Sequence, residues 1–425
     1  MIKISFPYPD ISPLYVDEKS LIGIFSPSVA PNVAPIEKQV LEAIENPIGS
    51  PPLKDMLKGA KRVLILSDDY TRSTPTKEIL PILLSELENC GIISGDIAIL
   101  IALGTHRPMS EFEMERKLGR DICRRYKIVN HEWWDEEKLL KLGETESGIP
   151  VIVNRLVKEF DFLIGVGQIV PHRVTGFSGG GNIVQPGICG ELTTGKTHWL
   201  AAQFTGREIL GKIENPVKDE VERVALLAGL KWILNTIQDA NGNVVKVVAG
   251  DPLLAYRIGA KTSFEVYKTE LPSEADIVIT DSVPFDSELW LAAKGIYASE
   301  LAVKEGGVVI LVSPCPEGVS SSHKEITEFG YDTYENIQKK VINGEIKKLT
   351  VAAHLVHVGR VIKEHARGII VTTGIKKDEA EKIGFIYSRE PQEALERAVL
   401  LLGGDPKIAV FKRGGEILPV IKEGS

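Results

Sequence analysis

The sequence lacks the features that mark several classes of protein. Its longest apolar run, residues 97–103, is far shorter than the roughly 18 residues that a membrane span requires. Residues 1–9 show no basic stretch followed by an apolar core, so we expect no secretory signal. The only cysteines are Cys90, Cys123, Cys189 and Cys315, and they form no CxxC pair. These absences favour a reduced, cytoplasmic protein with isolated thiols.

An excess of positive charge is also missing. The 425 residues include 50 Lys and Arg against 58 Asp and Glu, a formal net charge of −8. Nucleic acids and anionic membranes both bind basic surfaces, so we expect neither as a partner. Hydrophobic residues make up 43% and charged residues 25%, as in ordinary globular proteins, and the length predicts two or three domains.

Short apolar segments alternate with amphipathic ones along the chain. Continuous apolar runs predict strands whose two faces are both covered, and their alternation with helices predicts an α/β fold with largely parallel sheets. The predicted strands are 62–67, 96–103, 126–130, 150–154, 160–166, 244–248, 276–280, 307–312, 368–372 and 408–411. Helices are predicted at 76–90, 108–118 and 287–304. The alternation of strands and helices begins anew near residue 268. This predicts a first domain of 1–268 plus about 395–425, and a smaller second domain of 269–394.

Polar side chains follow the first two long strands, at the sheet edge where α/β proteins bind ligands. The segment Asp69, Tyr70, Thr71 and Arg72 could hold a phosphate or carboxylate, although a helix-capping turn is the simpler interpretation of the segment taken alone. His106 follows the second strand and could act as a general base, or be structural.

The segment 170–199 concentrates glycines, hydroxyls and two histidines, and its composition favours a ligand site over a core element. Gly190 to Thr197 matches the P-loop pattern GxxxxGK[ST], which leaves a P-loop phosphotransferase as an alternative. Gly176 to Gly180 matches the nucleophile-elbow pattern GxSxG of serine hydrolases. Both patterns lack a clean preceding strand. Outside this segment, we expect His354 and His357 on an exposed helical face, and His131 to be structural.

Several separate motifs occur in an order that resembles the nickel-dependent lactate racemase family. They cover nearly the whole sequence, and together they are more specific than any one alone. The motifs are Asp69-Tyr-Thr-Arg72, Gly104-Thr-His-Arg107, Pro171-His172, Gly176-Phe-Ser-Gly-Gly180, Gln185-Pro-Gly187, Thr197-His198, and Pro284-Phe-Asp286 with Lys294.

The resemblance implies two α/β domains with an active-site cleft between them and a nickel-pincer nucleotide as cofactor. By this resemblance His198 is the nickel ligand, and His106 and His172 are acid/base groups acting on a 2-hydroxy acid. Arg72 and Lys294 would pair with anionic groups, including the substrate carboxylate. The residues that would bind the cofactor are Asp69, Tyr70, Thr71, Arg72, Ser178, Gly179, Gly180, Gly181 and Asn182. The resemblance therefore implies an enzyme that racemises or epimerises a 2-hydroxy acid. A non-catalytic carrier of the nickel nucleotide is a further alternative. The oligomeric state is open.

Two positions depart from the family pattern. Asn182 stands where a lysine tethers the cofactor covalently, so we expect a cofactor held without a covalent bond, unless another amine such as Lys196 substitutes. Leu291 stands where the family often has glutamine. An apolar side chain there suggests a larger or more apolar 2-hydroxy acid, or an aldonate, in place of lactate.

Overall fold

The computed structural model describes residues 1–30 and 33–422. Its strands, in sequence order, are β1 (Ile2–Ile4), β2 (Leu14–Val16), β3 (Leu21–Phe25), β4 (Val63–Asp68), β5 (Ile97–Ala102), β6 (Lys127–Asn130), β7 (Leu139–Glu144), β8 (Pro150–Asn154), β9 (Phe162–Gln168), β10 (Pro171–His172), β11 (Gly176–Phe177), β12 (Leu230–Gln238), β13 (Val244–Gly250), β14 (Lys268–Leu271), β15 (Ala275–Asp281), β16 (Val303–Val312), β17 (Arg367–Val371), β18 (Ile386–Ser388), β19 (Ile408–Phe411) and β20 (Leu418–Ile421).

Its α-helices, in the same order, are α1 (Ile36–Glu45), α2 (Leu53–Met56), α3 (Thr76–Asn89), α4 (Glu111–Leu118), α5 (Arg120–Arg125), α6 (Glu191–Ala201), α7 (Gly206–Ile209), α8 (Pro216–Leu227), α9 (Leu254–Tyr267), α10 (Leu289–Glu300), α11 (Glu325–Phe329), α12 (Tyr334–Ile342), α13 (Leu349–Gly359), α14 (Lys377–Lys382) and α15 (Pro391–Leu402). The protein thus combines helices with two six-stranded sheets, which confirms the predicted α/β class.

The polypeptide divides into two compact units. The first unit comprises residues 29–197 and 211–266. Its sheet has the order β13-β12-β9-β4-β5-β6, and every neighbouring pair is parallel except β12 and β13. All side chains of β4, β5 and β9 are buried, as expected for parallel strands with both faces covered.

The second unit comprises residues 1–28, 198–210 and everything from 267 onward. Its sheet has the order β18-β17-β16-β15-β19-β3 and is entirely parallel. One face packs on α10 and α13, and the other packs on α15 and the β1–β2 hairpin.

The predicted domain boundaries need correction at both ends of the sequence. The tail does not return to the first unit, because β19 pairs with β15 inside the second sheet. Residues 1–28 also belong to the second unit, because β3 pairs with β19. These pairings join strands that are distant in sequence, and local patterns do not reveal them.

Within the described ranges 1–30 and 33–422, no helix is long and apolar enough to cross a membrane.

Candidate active site

Three adjacent strands of the first unit precede Asp69, His106 and His172 in the sequence. In the sheet, β4 lies between β9 and β5 with parallel pairing on both sides. Their carboxyl ends therefore lie side by side. Asp69 follows β4, His106 follows β5 and His172 follows β9. Topology thus places these three groups after neighbouring strands of one sheet, although up to about a hundred residues separate them in sequence.

Asp69 and His106 form a close pair at this edge. Asp69 is only 2% exposed, and its Oδ2 lies 2.7 Å from Nδ1 of His106. Burial favours a raised pKa for Asp69, but the hydrogen bond and charge of His106, together with Arg72, outweigh it and hold the pKa below its usual value. Because the carboxylate can only accept, Nδ1 of His106 carries a proton, and in the neutral imidazole the lone pair therefore lies on Nε2.

The loop after β4 is fastened from two sides. Oδ1 of Asp69 accepts the hydroxyl of Thr71 at 2.6 Å, and Thr71 Oγ1 accepts Arg72 Nη1 at 3.2 Å. Lys117 on α4 donates to the carbonyl oxygen of Arg72 at 2.7 Å and pairs with Asp68 at 3.0 Å. A lysine at the end of a charged helix gives no sequence signal for this role.

Tyr70 differs from its neighbours in this loop because it is 40% exposed. Its ring lies beneath the guanidinium of Arg107, whose Cζ is 4.5 Å from the ring centroid.

His172 is oriented by a hydroxyl instead of a carboxylate. Its Nδ1 lies 3.0 Å from Oγ1 of Thr175, in the turn that joins β10 to β11. Thr175 donates its hydroxyl proton to the carbonyl of Phe177 at 2.9 Å. Sequence reasoning did not single out Thr175, since a threonine in a glycine-rich turn is common.

The glycine-rich segment that follows is packed closely against its surroundings. Gly179 and Gly180 have φ of +81° and +57°. A Cβ on Gly180 would lie 3.0 Å from Tyr256, and one on Gly179 would lie 2.5 Å from Ile169. Gly180 donates its N–H to Oδ1 of Asn235 on β12 at 2.9 Å, and Gly181 is buried beside α8. Close approach therefore explains the glycines here.

Ser178 is buried and serves this packing. Its Oγ donates to the carbonyl of Gln168 at 3.1 Å and accepts the N–H of Val170 at 3.1 Å. An exposed hydroxyl on a strand-to-helix turn, as a nucleophile elbow requires, is not what this serine presents.

Asn182 lies directly above a buried lysine that the sequence did not reveal. Lys218 on α8 is 1% exposed, and its Nζ donates to Oδ1 of Asn182 at 2.7 Å and to the carbonyl of Gly179 at 3.0 Å. The ammonium also lies 3.5 Å from the ring centroid of Tyr256. Burial lowers the pKa of Lys218, while the charge of Glu222 opposes this shift. The carboxamide is thereby fixed with Oδ1 toward Lys218, and its Nδ2 donates to Thr175 at 3.2 Å.

Lys196, the other amine considered for a tether, is exposed on α6. The helix also contradicts the P-loop alternative. Residues 191–197 of the pattern are helical, and the N–H of Thr194 is bonded to the carbonyl of Gly190. A P-loop instead directs such N–H groups at phosphates.

The remaining predicted site residues belong to the second unit. His198 lies on α6, just after the point where the polypeptide passes from one unit to the other. Leu291 and Lys294 are half-buried and one turn apart on α10. The Nζ of Lys294 lies 3.4 Å from the ring centroid of Phe285, which belongs to the loop after β15.

His354 and His357 do not lie on an exposed face as expected. Both are buried in α13, which packs in the core of the second unit, and burial lowers the pKa of His354 to about 3. Apolar residues surround both histidines along α13 and indicate a buried helix, so the expectation failed because it rested on the polarity of histidine alone. Among the described residues, no group of three or more His, Cys, Asp or Glu could hold a metal ion.

This absence bears on how nickel would fit. The donor that the described residues would present is a single imidazole, that of His198, and no cluster of protein ligands accompanies it there. One imidazole would complete the coordination of a nickel ion whose other ligands come from a bound organic group. The residues present fit a metal held mainly by an organic chelator.

Comparison with known proteins gives one consistent result. The model of the lactate racemase N-terminal domain matches residues 10–208, and that of the lactate racemase C-terminal domain matches residues 271–418. The lactate racemase of Thermoanaerobacterium thermosaccharolyticum is 31% identical over 90% of each chain. That of Lactiplantibacillus plantarum is 28% identical over 97% of this chain and 99% of its own.

Solved structures give the same picture. The lactate racemase apoprotein from T. thermosaccharolyticum superposes with a TM-score of 0.87 at 27% identity, covering 99% of this chain and 100% of that one. A protein from Thermotoga maritima superposes with a TM-score of 0.72 at 25% identity, covering 91% and 98%.

Proposed function

Because the chain belongs to the lactate racemase family and is an isomerase of the racemase type, we propose that it inverts the α-carbon of a 2-hydroxy acid, with His106 and His172 as acid/base groups. The observation that carries this proposal is the state of the two imidazoles. Each has its Nδ1 engaged by a protein oxygen, at 2.7 Å in His106 and 3.0 Å in His172.

This arrangement suits proton transfer at a defined atom. With Nδ1 donating to the protein, Nε2 of one imidazole can accept the hydroxyl proton of the substrate, and Nε2 of the other can return a proton. Two acid/base groups suit a racemase, since the enantiomers present their hydroxyls differently. The Asp69 carboxylate would stabilise the cationic form of His106, whereas Thr175 offers His172 an uncharged partner.

A nickel-pincer nucleotide would supply the hydride acceptor when bound. His198 would be its nickel ligand, and residues 69–72 and 178–182 would hold the rest. Asn182 has no amine, and its carboxamide is engaged by Lys218 and Thr175. This supports binding of the cofactor without a covalent bond at that position.

The substrate would be held through its carboxylate by Arg72 and Lys294. Leu291, one turn from Lys294, adds an apolar surface, and Phe285 adds an aromatic one. These neighbours support a 2-hydroxy acid larger or more apolar than lactate.

Racemisation by chiral chromatography tests this function on protein purified from a host that makes the cofactor. We expect His106→Gln and His172→Gln each to lower kcat by about 100-fold or more, as loss of a general acid or base does. His365→Gln is the matched control, since that imidazole bonds to a backbone carbonyl, that of Val303, in the second unit. Full turnover in either site variant would remove that residue from the acid/base role.

Nickel content by elemental mass spectrometry tests the ligand separately. We expect near-stoichiometric nickel in the unmodified protein and a large loss in His198→Ala, with His365→Gln unchanged. Retained nickel without racemisation of any 2-hydroxy acid would instead favour a carrier of the nickel nucleotide.

A further inference from the structure

A series of hydrogen-bonded polar groups runs from the buried interior of the first unit to His172. It begins at Lys218, whose Nζ donates to Oδ1 of Asn182 at 2.7 Å. Asn182 Nδ2 then donates to Oγ1 of Thr175 at 3.2 Å, and Thr175 meets Nδ1 of His172 at 3.0 Å. In the ammonium form of Lys218, which the charge of Glu222 favours, Nζ can only donate, and this fixes Asn182 with Oδ1 toward Lys218 and Nδ2 toward Thr175.

The bonding capacity of Thr175 determines how it can meet His172. A hydroxyl has one proton to donate and two lone pairs that accept. The proton goes to the carbonyl of Phe177, and one lone pair is taken by Asn182. Only a lone pair remains for His172, so the imidazole must be the donor in that contact.

We propose that Thr175, with its other bonds satisfied by Phe177 and Asn182, is a positioning residue that keeps the proton of His172 on Nδ1 and the lone pair on Nε2. Thr175 is 1% exposed and therefore has no water to substitute for these partners. The catalytic relevance of this state rests on the role proposed for His172, but the state itself does not.

The tautomer is measured directly by 15N NMR of histidine-labelled full-length protein at pH 8, without cofactor. The His172 signals are assigned by their loss in His172→Gln. We expect Nδ1 to show the protonated, pyrrole-type signal and Nε2 the unprotonated, pyridine-type signal. An unmodified protein with the proton on Nε2 would overturn the proposal before any further variant is made.

Thr175→Val and Thr175→Ser form a matched pair, since valine keeps the shape and serine keeps the hydroxyl. We expect valine to replace the single tautomer with a mixture dominated by Nε2–H, and serine to restore Nδ1–H. A valine variant that keeps Nδ1–H would contradict the proposal. In the loaded enzyme, kcat should fall by about 10- to 100-fold in Thr175→Val with KM little changed, and recover in Thr175→Ser.

These readouts separate two kinds of failure. If no 2-hydroxy acid is racemised but the tautomer follows Thr175 as expected, the proposed function fails and the positioning role stands. If racemisation proceeds while the tautomer ignores Thr175, the positioning role fails alone.

Discussion

His131, at the end of β6, shows how a single buried imidazole links pH to stability. It is fully buried, with Nε2 3.0 Å from the carbonyl of Cys189 and Nδ1 3.2 Å from Nδ2 of Asn154. The carbonyl can only accept, so Nε2 carries the proton and Nδ1 accepts from Asn154. A second proton, on Nδ1, would point at the N–H of Asn154 and remove that hydrogen bond. Burial accordingly lowers the pKa of His131 from 6.5 to about 4, although its bond to Cys189 opposes the shift.

This pKa shift predicts a loss of stability in mild acid. Well above pH 6.5 the imidazole is neutral in both the folded and the unfolded protein. Between pH 6.5 and 4, His131 becomes protonated in the unfolded protein but stays neutral in the folded protein. The free energy of unfolding therefore falls as the pH falls. The loss should approach ~3 kcal/mol below pH 4.

Denaturant unfolding at several pH values from 8 to 4 measures this effect. His131→Gln should show a shallower decline below pH 6.5 than the unmodified protein. Between pH 7 and 8, where the group is neutral in both states, the two proteins should respond to pH alike. Parallel curves over the whole range would rule out His131 as the source.

At the residue scale, the sequence indicated the chemically reactive residues of the site more clearly than the residues that position them. The imidazoles and Asp69 stand in motifs after strands, where ligand groups are expected. Lys218 was not recognised, because a lysine beside valines on an amphipathic helix ordinarily extends into water. Its burial depends on the carbonyl of Gly179 and on Asn182, which come to lie above α8 only in the folded state.

At the scale of elements, contact with α9 explains why the glycine-rich segment requires glycine at position 180. Gly180 combines a φ of +57° with a close approach to the Tyr256 side chain. Gly229, after α8, also has a positive φ, +89°, but a Cβ there would meet nothing within 4 Å. Substitutions at the two positions therefore distinguish the energetic cost of backbone strain from that of steric crowding.

Alanine substitutions at these glycines should differ in cost. Gly229→Ala should lower the free energy of unfolding by about 1 kcal/mol, through backbone strain alone. Gly180→Ala should cost roughly 1 to 3 kcal/mol more, because Tyr256 must shift. Denaturant unfolding measures both. Equal losses in the free energy of unfolding would mean that the Tyr256 side chain moves at little cost, and that packing does not explain the glycine at position 180.

The elements themselves followed from the sequence to different degrees. Continuous apolar runs predicted β4, β5, β9 and β15, and each forms with all or nearly all of its residues buried. We did not predict β12, where Asn235 and Gln238 interrupt the apolar pattern toward the carboxyl end. Both residues are buried and hydrogen-bonded in the fold, Asn235 to Gly180 and Gln238 to the carbonyl of Ser73.

At the scale of the whole molecule, the second unit is assembled from three stretches of sequence. Residues 1–28 supply its edge strand β3 and the hairpin that covers one face of its sheet. The apolar side chains that this segment buries are Ile4, Phe6, Tyr8, Ile11, Leu14 and Val16. At roughly 1.5 to 3 kcal/mol each, their burial is comparable to the net stability of a domain.

Removal of residues 1–28 should therefore unfold the second unit. Limited proteolysis with mass spectrometry should show rapid cleavage after residue 267 and continued protection of residues 33–197. Adding residues 1–28 as a separate peptide should restore part of the protection. A digestion pattern equal to that of the full-length protein would show that the sheet holds without its edge strand and hairpin.

The division into units was the part least accessible from sequence. A restart of the strand–helix pattern is visible near residue 268, because it is local. The pairing of β3 with β19 and the membership of residues 198–210 are not local, since they depend on which edges and faces remain open once the sheet has formed.

The same pairing has a consequence for synthesis. Residues 1–28 are synthesised before the rest of the second unit, yet β3 is an edge strand whose partner in the described sheet is β19, almost four hundred residues later. At about 5 to 20 residues per second, this segment waits roughly 20 to 80 s for its partner. Phe6, Ile11 and Leu14 lack their final cover throughout that interval, a target for chaperones or for a neighbouring nascent polypeptide. The synthesis of β19 thus decides when the much earlier segment 1–28 becomes protected.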